Sequence, residues 1–273
     1  MKSIVPLAVA LAACASFLLR VVNAYAGDAA ALSPLGFSRD GRYFAFEQYG
    51  TESVSGIDYS ETIVVDLALG RAVQGAPLLV DATAIEELRK RSPDRDPLAL
   101  VRQDAKEKAA PLLKGLGVDR RGGRIGFAAA GHSRDTSLEL SSHSGGQPSA
   151  AVTALRKATL ASMPLDPSLF DEKASLELSE FAVTAPVASC ADNGYAGKGF
   201  VLTLRRDGKA PLKLGASAAS DNGEACPLGF GLVEAHALRL ADGSLALAAL
   251  LQRFDYVMEG PDRRFLAVGA RVR

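Results

Sequence analysis

The sequence predicts a mainly β protein. It should be built of antiparallel sheets in a sandwich or barrel-like arrangement, with a small helical insertion. Three observations carry this. Short apolar runs that alternate or are rich in β-branched residues recur along the chain. Tight-turn pairs punctuate them at Asp40-Gly41, Asp207-Gly208, Asn222-Gly223 and Asp242-Gly243. Gly tolerates the positive φ that such hairpin turns demand. Clear helical signals are confined to residues 81–117.

The first 26 residues read as an export leader. Lys2 supplies the positive start, Ile4 to Leu19 an apolar stretch of secretory length, and Ala24-Tyr25-Ala26 a small-x-small cleavage site before Gly27. The apolar stretch is short for a membrane span and is soon interrupted by Arg20. Leu11-Ala12-Ala13-Cys14 offers a rival reading as a lipobox, with Cys14 acylated. Against it, Ala15 to Val22 stays largely apolar, whereas a lipoprotein tether is usually polar. Cleavage after Ala26 takes Lys2 and Arg20 from the 31 basic residues, leaving 29 against 31 acidic ones. So balanced a charge gives no electrostatic reason to expect nucleic acid or an anionic membrane as partner. About 247 residues remain, enough for one large β domain or two small ones.

Gly27 to Ser33 is a small-residue lead-in. Gly36-Phe37-Ser38, the turn Arg39 to Arg42, and Tyr43 to Tyr49 then form strand, turn and strand. A loop from Thr51 to Ser60 precedes a strand over Glu61 to Leu67, a turn at Ala68 to Arg71, and an extended piece ending near Val80. Ser38-Arg39-Asp40-Gly41-Arg42-Tyr43-Phe44-Ala45-Phe46 followed by Ile63-Val64-Val65-Asp66-Leu67 resembles one four-stranded blade of a TolB-type propeller repeat. That resemblance implies blade geometry over residues 35–76. A complete propeller, used as an interaction platform, needs at least four such blades, and no second good copy follows.

Residues 81–117 change character. Asp81 or Thr83 caps a helix over Ala84 to Lys90, and Asp96 caps a second with Pro97 at its first position, where the missing N–H costs nothing. Leu98, Val101 and Ala105 make a narrow apolar stripe, so the helices should lie outside a sheet. Pro111 should bend or end the second helix, and Gly115 or Gly117 should close it.

Strands resume at Ile125 to Ala128 and Ser137 to Ser141. A flexible loop at Ser144 to Ser149 and an irregular or weakly helical stretch from Leu155 to Lys173 follow. Strands then read at Glu177–Val183, Gly199–Leu204, Pro211–Leu214, Leu232–Leu240, Ser244–Gln252 and Arg264–Val272. The expected organisation is an N-terminal region 27–120 and a C-terminal region 121–273, packed together as one domain. In an exported chain the two remaining cysteines, Cys190 and Cys226, suggest a disulfide. Closing a loop of about 36 residues contributes about 3–4 kcal/mol by chain entropy.

Three stretches resemble an uncharacterised family of bacterial predicted secreted proteins: Leu35 to Gly50, Cys226 to Glu234, and Met258 to Val268. They bracket the mature chain. The resemblance implies an exported, mostly β protein, periplasmic or secreted. The family has no assigned activity, so no catalytic residue is carried over.

Candidate chemistry is sparse. Gly131-His132-Ser133-Arg134-Asp135 resembles a nucleophile elbow, but the fifth position is Asp, and a strand pattern follows where the motif needs a helix. A serine hydrolase would use Ser133 with His236 as base. His132, His143 and His236 show no metal-ligand spacing, and His236 reads as a half-exposed strand residue. Asp192-Asn193-Gly194 and Asp221-Asn222-Gly223 offer oxygens to calcium, yet Asx turns explain both. Asp262, Arg263 and Arg264 suggest either a bidentate anion grip or an ion pair that locks the last strand. Tyr43, Phe44, Phe46 and Tyr49 offer a stacking surface for sugar or one side of a core. The residues point to no cofactor and no metal. They support an exported, non-enzymatic protein that binds an envelope protein or a glycan through its β surface.

Overall fold

The computed structural model describes residues 28–52, 55–80, 86–87, 90, 92–128, 162–183, 188–195, 197–217, 225–257 and 261–273. The elements run β1 (Ala31–Ser38), β2 (Tyr43–Thr51), β3 (Asp58–Asp66), β4 (Arg71–Ala72) and β5 (Leu78–Val80), then helix α1 (Pro97–Gly115), β6 (Val118–Arg120) and β7 (Gly123–Phe127). After these come β8 (Met163–Pro164), β9 (Ala174–Ala182), the short α2 (Ala188–Ala191), β10 (Lys198–Arg206), β11 (Leu212–Ser217), β12 (Pro227–Arg239), β13 (Leu245–Asp255) and β14 (Asp262–Val272).

They make three stacked antiparallel sheets. One outer sheet has the order β4-β3-β2-β1-β6, with β5 also on β3; the other is β11-β10-β9-β8. Between them lies β14-β13-β12-β7. The strands of β13 show why this sheet is central. Leu245, Leu247, Ala249 and Leu251 enter the core shared with β9 and β10, whereas Ala246, Ala248 and Leu250 enter the core shared with Phe37, Phe44 and Phe46. Strand side chains alternate faces, so a strand buried on both sides reads as an unbroken apolar run. On β12 a register shift between Leu232 and Glu234 changes the parity. Phe230 and Leu232 face the second outer sheet before it, and Ala235 and Ala237 after it.

The first hairpin forms where its sequence places it. Gly41 takes φ 70°, its N–H bonds Ser38 O at 2.9 Å, and Asp40 Oδ1 accepts from Ser38 Oγ at 2.6 Å and Arg42 N at 3.1 Å. The strand before it is longer than expected. β1 starts at Ala31, inside the stretch read as a lead-in, because Ala31 to Pro34 pair with β2. A bulge between Pro34 and Gly36 admits the proline. Gly36 has φ 124°, and a Cβ there would sit 2.3 Å from Arg120 O, so β6 closes on β1 only over glycine. Over the stretch of the repeat resemblance, β1 to β4 form an antiparallel meander, which β5 and β6 extend to six strands. Among the described residues the sheets number three, with neither a closed barrel nor the four or more blades a propeller ring needs.

Helix α1 lies outside the first sheet, against β3, β5 and β6. Asp96 caps it by accepting from Ala99 N at 3.2 Å, with Pro97 at its start. The buried stripe is Leu100, Val101, Ala105 and Ala109, with Leu100 rather than Leu98 at its first turn. The helix does not end at Pro111 but runs on to Gly115, one of the two glycines expected to close it. Pro111 lies on the exposed side, beyond the last buried turn, so the Glu107 carbonyl it leaves unpaired can turn to water. Of the first helix of the insertion only residues 86, 87 and 90 are described. The later strands match their expected positions within a few residues, and β12 reaches back to Pro227. The strand expected at Ser137–Ser141 lies outside the described residues. Met163–Pro164 is a short strand rather than part of an irregular stretch, because it pairs with Leu176 and Ser175 of β9.

Leu250 and Leu247 are fully buried, each in a different core, whereas Leu79 is 61% exposed. Urea unfolding should show Leu250→Ala and Leu247→Ala each losing about 2–5 kcal/mol. Leu79→Ala should change stability by no more than about 0.5 kcal/mol.

Candidate functional site at the edge of the central sheet

β14 is the edge strand of the central sheet, and its first residues are Asp262, Arg263 and Arg264. They hold the segment that precedes β1. Arg263 N–H donates to Asp28 O at 2.7 Å, Ala30 N–H donates to Arg263 O at 3.3 Å, and Ala29 and Arg263 form a parallel bridge. Asp28 N–H donates to Asp262 Oδ1 at 2.8 Å. Arg264 Nη1 lies 2.7 Å from Asp28 Oδ2, and its guanidinium lies 5.1 Å from the Tyr59 ring centre. Arg263 is buried and donates from Nη2 to Ala30 O at 2.9 Å.

The next stretch of the edge is capped by a side chain. Phe265 N–H donates to Gln48 Oε1 at 2.8 Å, while Gln48 Nε2 donates to Glu61 Oε2 at 2.5 Å. Gln48 is thus a buried link between the first outer sheet and the central one. Arg263 and Phe265 both send their N–H away from β13. In a strand this direction repeats every second residue, and β13 and β14 pair without a register shift, so Ala267 sends its N–H and C=O the same way. There the edge opens onto a groove of about 480 Å³. Ala267 and Val268 floor it, Ile63, Val65 and Pro77 form one wall, and Phe200 and Ala216 form the other.

Burial dominates the electrostatics around the closed part of the edge. It pushes the carboxyl of Asp28 up from its usual range, against the opposing Arg264 charge. Asp255, the cross-strand partner of Asp262, is likewise pushed up by burial, against Arg253. Burial also raises the Tyr59 phenol. Asp66, the last residue of β3, goes the other way. Burial opposes its charge, but the Arg42 guanidinium and the N–H groups of Leu69 and Ala68 outweigh it and hold the carboxyl low.

Other residues singled out in the sequence lie elsewhere. His236 is 7% exposed rather than half-exposed, because β12 is covered on both faces. Its ring lies 5.9 Å from Phe44, and Nε2 is 2.7 Å from Glu234 Oε2, whose other oxygen faces Arg124 Nη1 at 3.3 Å. Its Nε2 is therefore engaged in an internal pair. Ser133, His132, His143 and Asp221 to Gly223 lie outside the described residues, as do Cys14 and the rest of the stretch expected to be a leader. Phe44 and Phe46 are fully buried, so the four aromatic residues present no common surface to a sugar. The guanidinium of Arg42 lies over Tyr43 and that of Arg102 over Tyr49. Asp192 to Gly194 is a turn closing α2, with Gly194 N–H donating to Ala191 O at 3.0 Å. Among the described residues no three His, Cys, Asp or Glu side chains converge as metal ligands would.

Cys190 and Cys226 form the disulfide, tying α2 to the start of β12. Tyr195 and Tyr256 flank it with ring centres 4.8 Å apart. Sequence reasoning missed Asp28, Gln48, Tyr59 and Glu234. Gln48 alone carried a signal, a polar residue at an inward position of an apolar alternation. A family model described as Predicted secreted protein (DUF2259) matches residues 45–271. No curated protein and no solved structure matches the chain.

Replacing Gln48 by Leu strands the buried Phe265 N–H and should cost about 1–3 kcal/mol in denaturant unfolding. Titration of stability should separate Asp255 from Asp66. A raised carboxyl adds stability below its unfolded value near pH 4 and loses it as pH rises through the folded value. Asp255→Asn should therefore gain on the wild type from about pH 4 to 7. Asp66→Asn should lose ground at lower pH, as pH rises toward about 4, and then stay behind by a constant amount, since a depressed carboxylate's contribution is complete above its unfolded value.

Proposed function

Because this chain belongs to the family described as Predicted secreted protein (DUF2259), we propose that it works outside the cytoplasm as a non-enzymatic binding protein of the cell envelope. A leader over residues 1–26 exports it, with cleavage before Gly27, and the periplasm is its place of action. Its partner is a protein that adds an extended segment to β14.

The observation that carries this reading is the open edge at Ala267. An unpaired strand edge is a template for another strand, and folded proteins otherwise cover it. Here its beginning is covered by Asp28 to Ala30 and by Gln48, and beyond Phe265 the described residues leave it open to the groove. Main-chain hydrogen bonds give such a site affinity, and apolar walls select alternate side chains. The walls also keep the edge from pairing with a broad sheet, since only a slim extended chain fits between them. Residues 27–120 and 121–273 act as one unit in this reading, because Phe44 and Phe46 share a core with Ala248 and Leu250. Asp262, Arg263 and Arg264 serve as a structural lock, their groups being engaged by Asp28 and Ala30.

Ala267→Pro tests the proposal. Proline removes an N–H that points away from β13, a position where edge strands tolerate it. Pull-down from envelope extract with the wild-type exported protein should capture a partner that Ala267→Pro captures at least about tenfold less well. The variant should keep the wild-type unfolding free energy within about 1 kcal/mol. Equal capture by a folded Ala267→Pro protein would refute strand addition at β14.

A further inference from the structure

A second cleft lies on the opposite face of the first outer sheet, under α1 and away from the β14 groove. Its volume is about 420 Å³, and residues of β1, β2, β3, α1 and β6 line it. Small-molecule sites commonly fall between about 300 and 1,000 Å³, with apolar walls and a few polar groups. Leu35, Ala109, Leu113 and Val118 supply the apolar walls here.

The charged groups in the cleft are of two kinds. Glu47 is held bidentately by Arg102, with Nε to Oε1 and Nη2 to Oε2 both at 2.8 Å, and Ser60 Oγ donates to Oε1 at 2.9 Å. The Arg102 guanidinium lies 3.6 Å from the Tyr49 ring centre. That pair is neutral and fixed in place. Gln103 is occupied by Glu107 and Arg95. Lys108, two residues beyond Lys106, pairs with Asp104. Lys106 lines the cleft, is exposed, and has no partner among the described residues. The cleft therefore combines an apolar trough with one uncompensated cation at its rim.

We propose that this cleft binds a straight-chain alkyl carboxylate, with the chain against Leu35, Ala109, Leu113 and Val118 and the carboxylate at the Lys106 ammonium. Burying the chain supplies the driving force, roughly 25 cal/mol per Å² of apolar surface removed from water. The lysine selects the acid end as a point charge that a carboxylate can approach from several directions. A sugar or a charged peptide would leave polar groups unpaired against the apolar walls.

Calorimetric titration of the exported protein with decanoate and with decanol, both below the concentration at which they aggregate, tests this. The wild type should bind decanoate at least about tenfold more tightly than decanol. Lys106→Met keeps the bulk and loses the charge, so it should lower decanoate affinity to that of decanol. Ala99→Phe, at an exposed position on the cleft wall, should weaken both ligands alike. Absence of decanoate binding to the wild type overturns the proposal. So does decanoate binding undiminished in Lys106→Met or in Ala99→Phe.

Discussion

Burial of one sheet on both faces governs this molecule. Every residue from Leu245 to Leu251 lies against one core or the other, so β13 has no polar face to give to water. Fully burying a leucine is worth about 1.5–3 kcal/mol, and Leu247, Leu250 and Leu251 all have no exposure. The same constraint sets the terms for polar groups in the sheet. Glu234, His236 and Arg124 satisfy one another across β12 and β7. Gln252 is accommodated opposite Gly231, where a Cβ would come within 2.6 Å of its amide nitrogen. The buried Oε1 of Gln252 has no hydrogen-bond partner among the described residues, and such a group carries a desolvation cost.

A sheet enclosed on its faces still has edges, and those must be handled along their length. β14 shows three treatments in succession. The segment before β1 pairs with it at Arg263, a side-chain amide from β2 caps it at Phe265, and a groove receives it at Ala267. The first two treatments also join the beginning of the described chain to its end, across 234 residues at Asp28 and Asp262. The buried charges of that junction are matched by arginines, which is why its acids can remain inside despite the pull of burial on Asp28 and Asp255. The groove follows directly on the closed stretch, so both are parts of one edge.

The outer face of the first sheet is governed differently. Helix α1 covers it with short side chains, Ala105 and Ala109 among them, and sits close over β3. Beside this close contact the sheet keeps Glu47, an acid facing away from the main core. Arg102 of the helix answers it in two hydrogen bonds. That ion pair orients the helix on the sheet, and the cleft that carries Lys106 lies alongside it.

Local chemistry by itself determined the elements. Asp40-Gly41 made a hairpin, Asp96-Pro97 began a helix, and the alternating runs of the C-terminal half became strands, because turn dihedrals, caps and side-chain period act over a few residues. The pairing of Cys190 with Cys226 was legible too, since only two cysteines follow residue 26. Tertiary structure decided the layering. An apolar run such as Leu245 to Leu251 announces burial but not which sheets cover it, and a polar residue such as Gln48 does not disclose a partner 217 residues away. His236 looked half-exposed for the same reason, its second cover being the distant Phe44. Edge, groove and lock all arise from contacts between segments far apart in the chain, and no local pattern encodes which of those segments will meet.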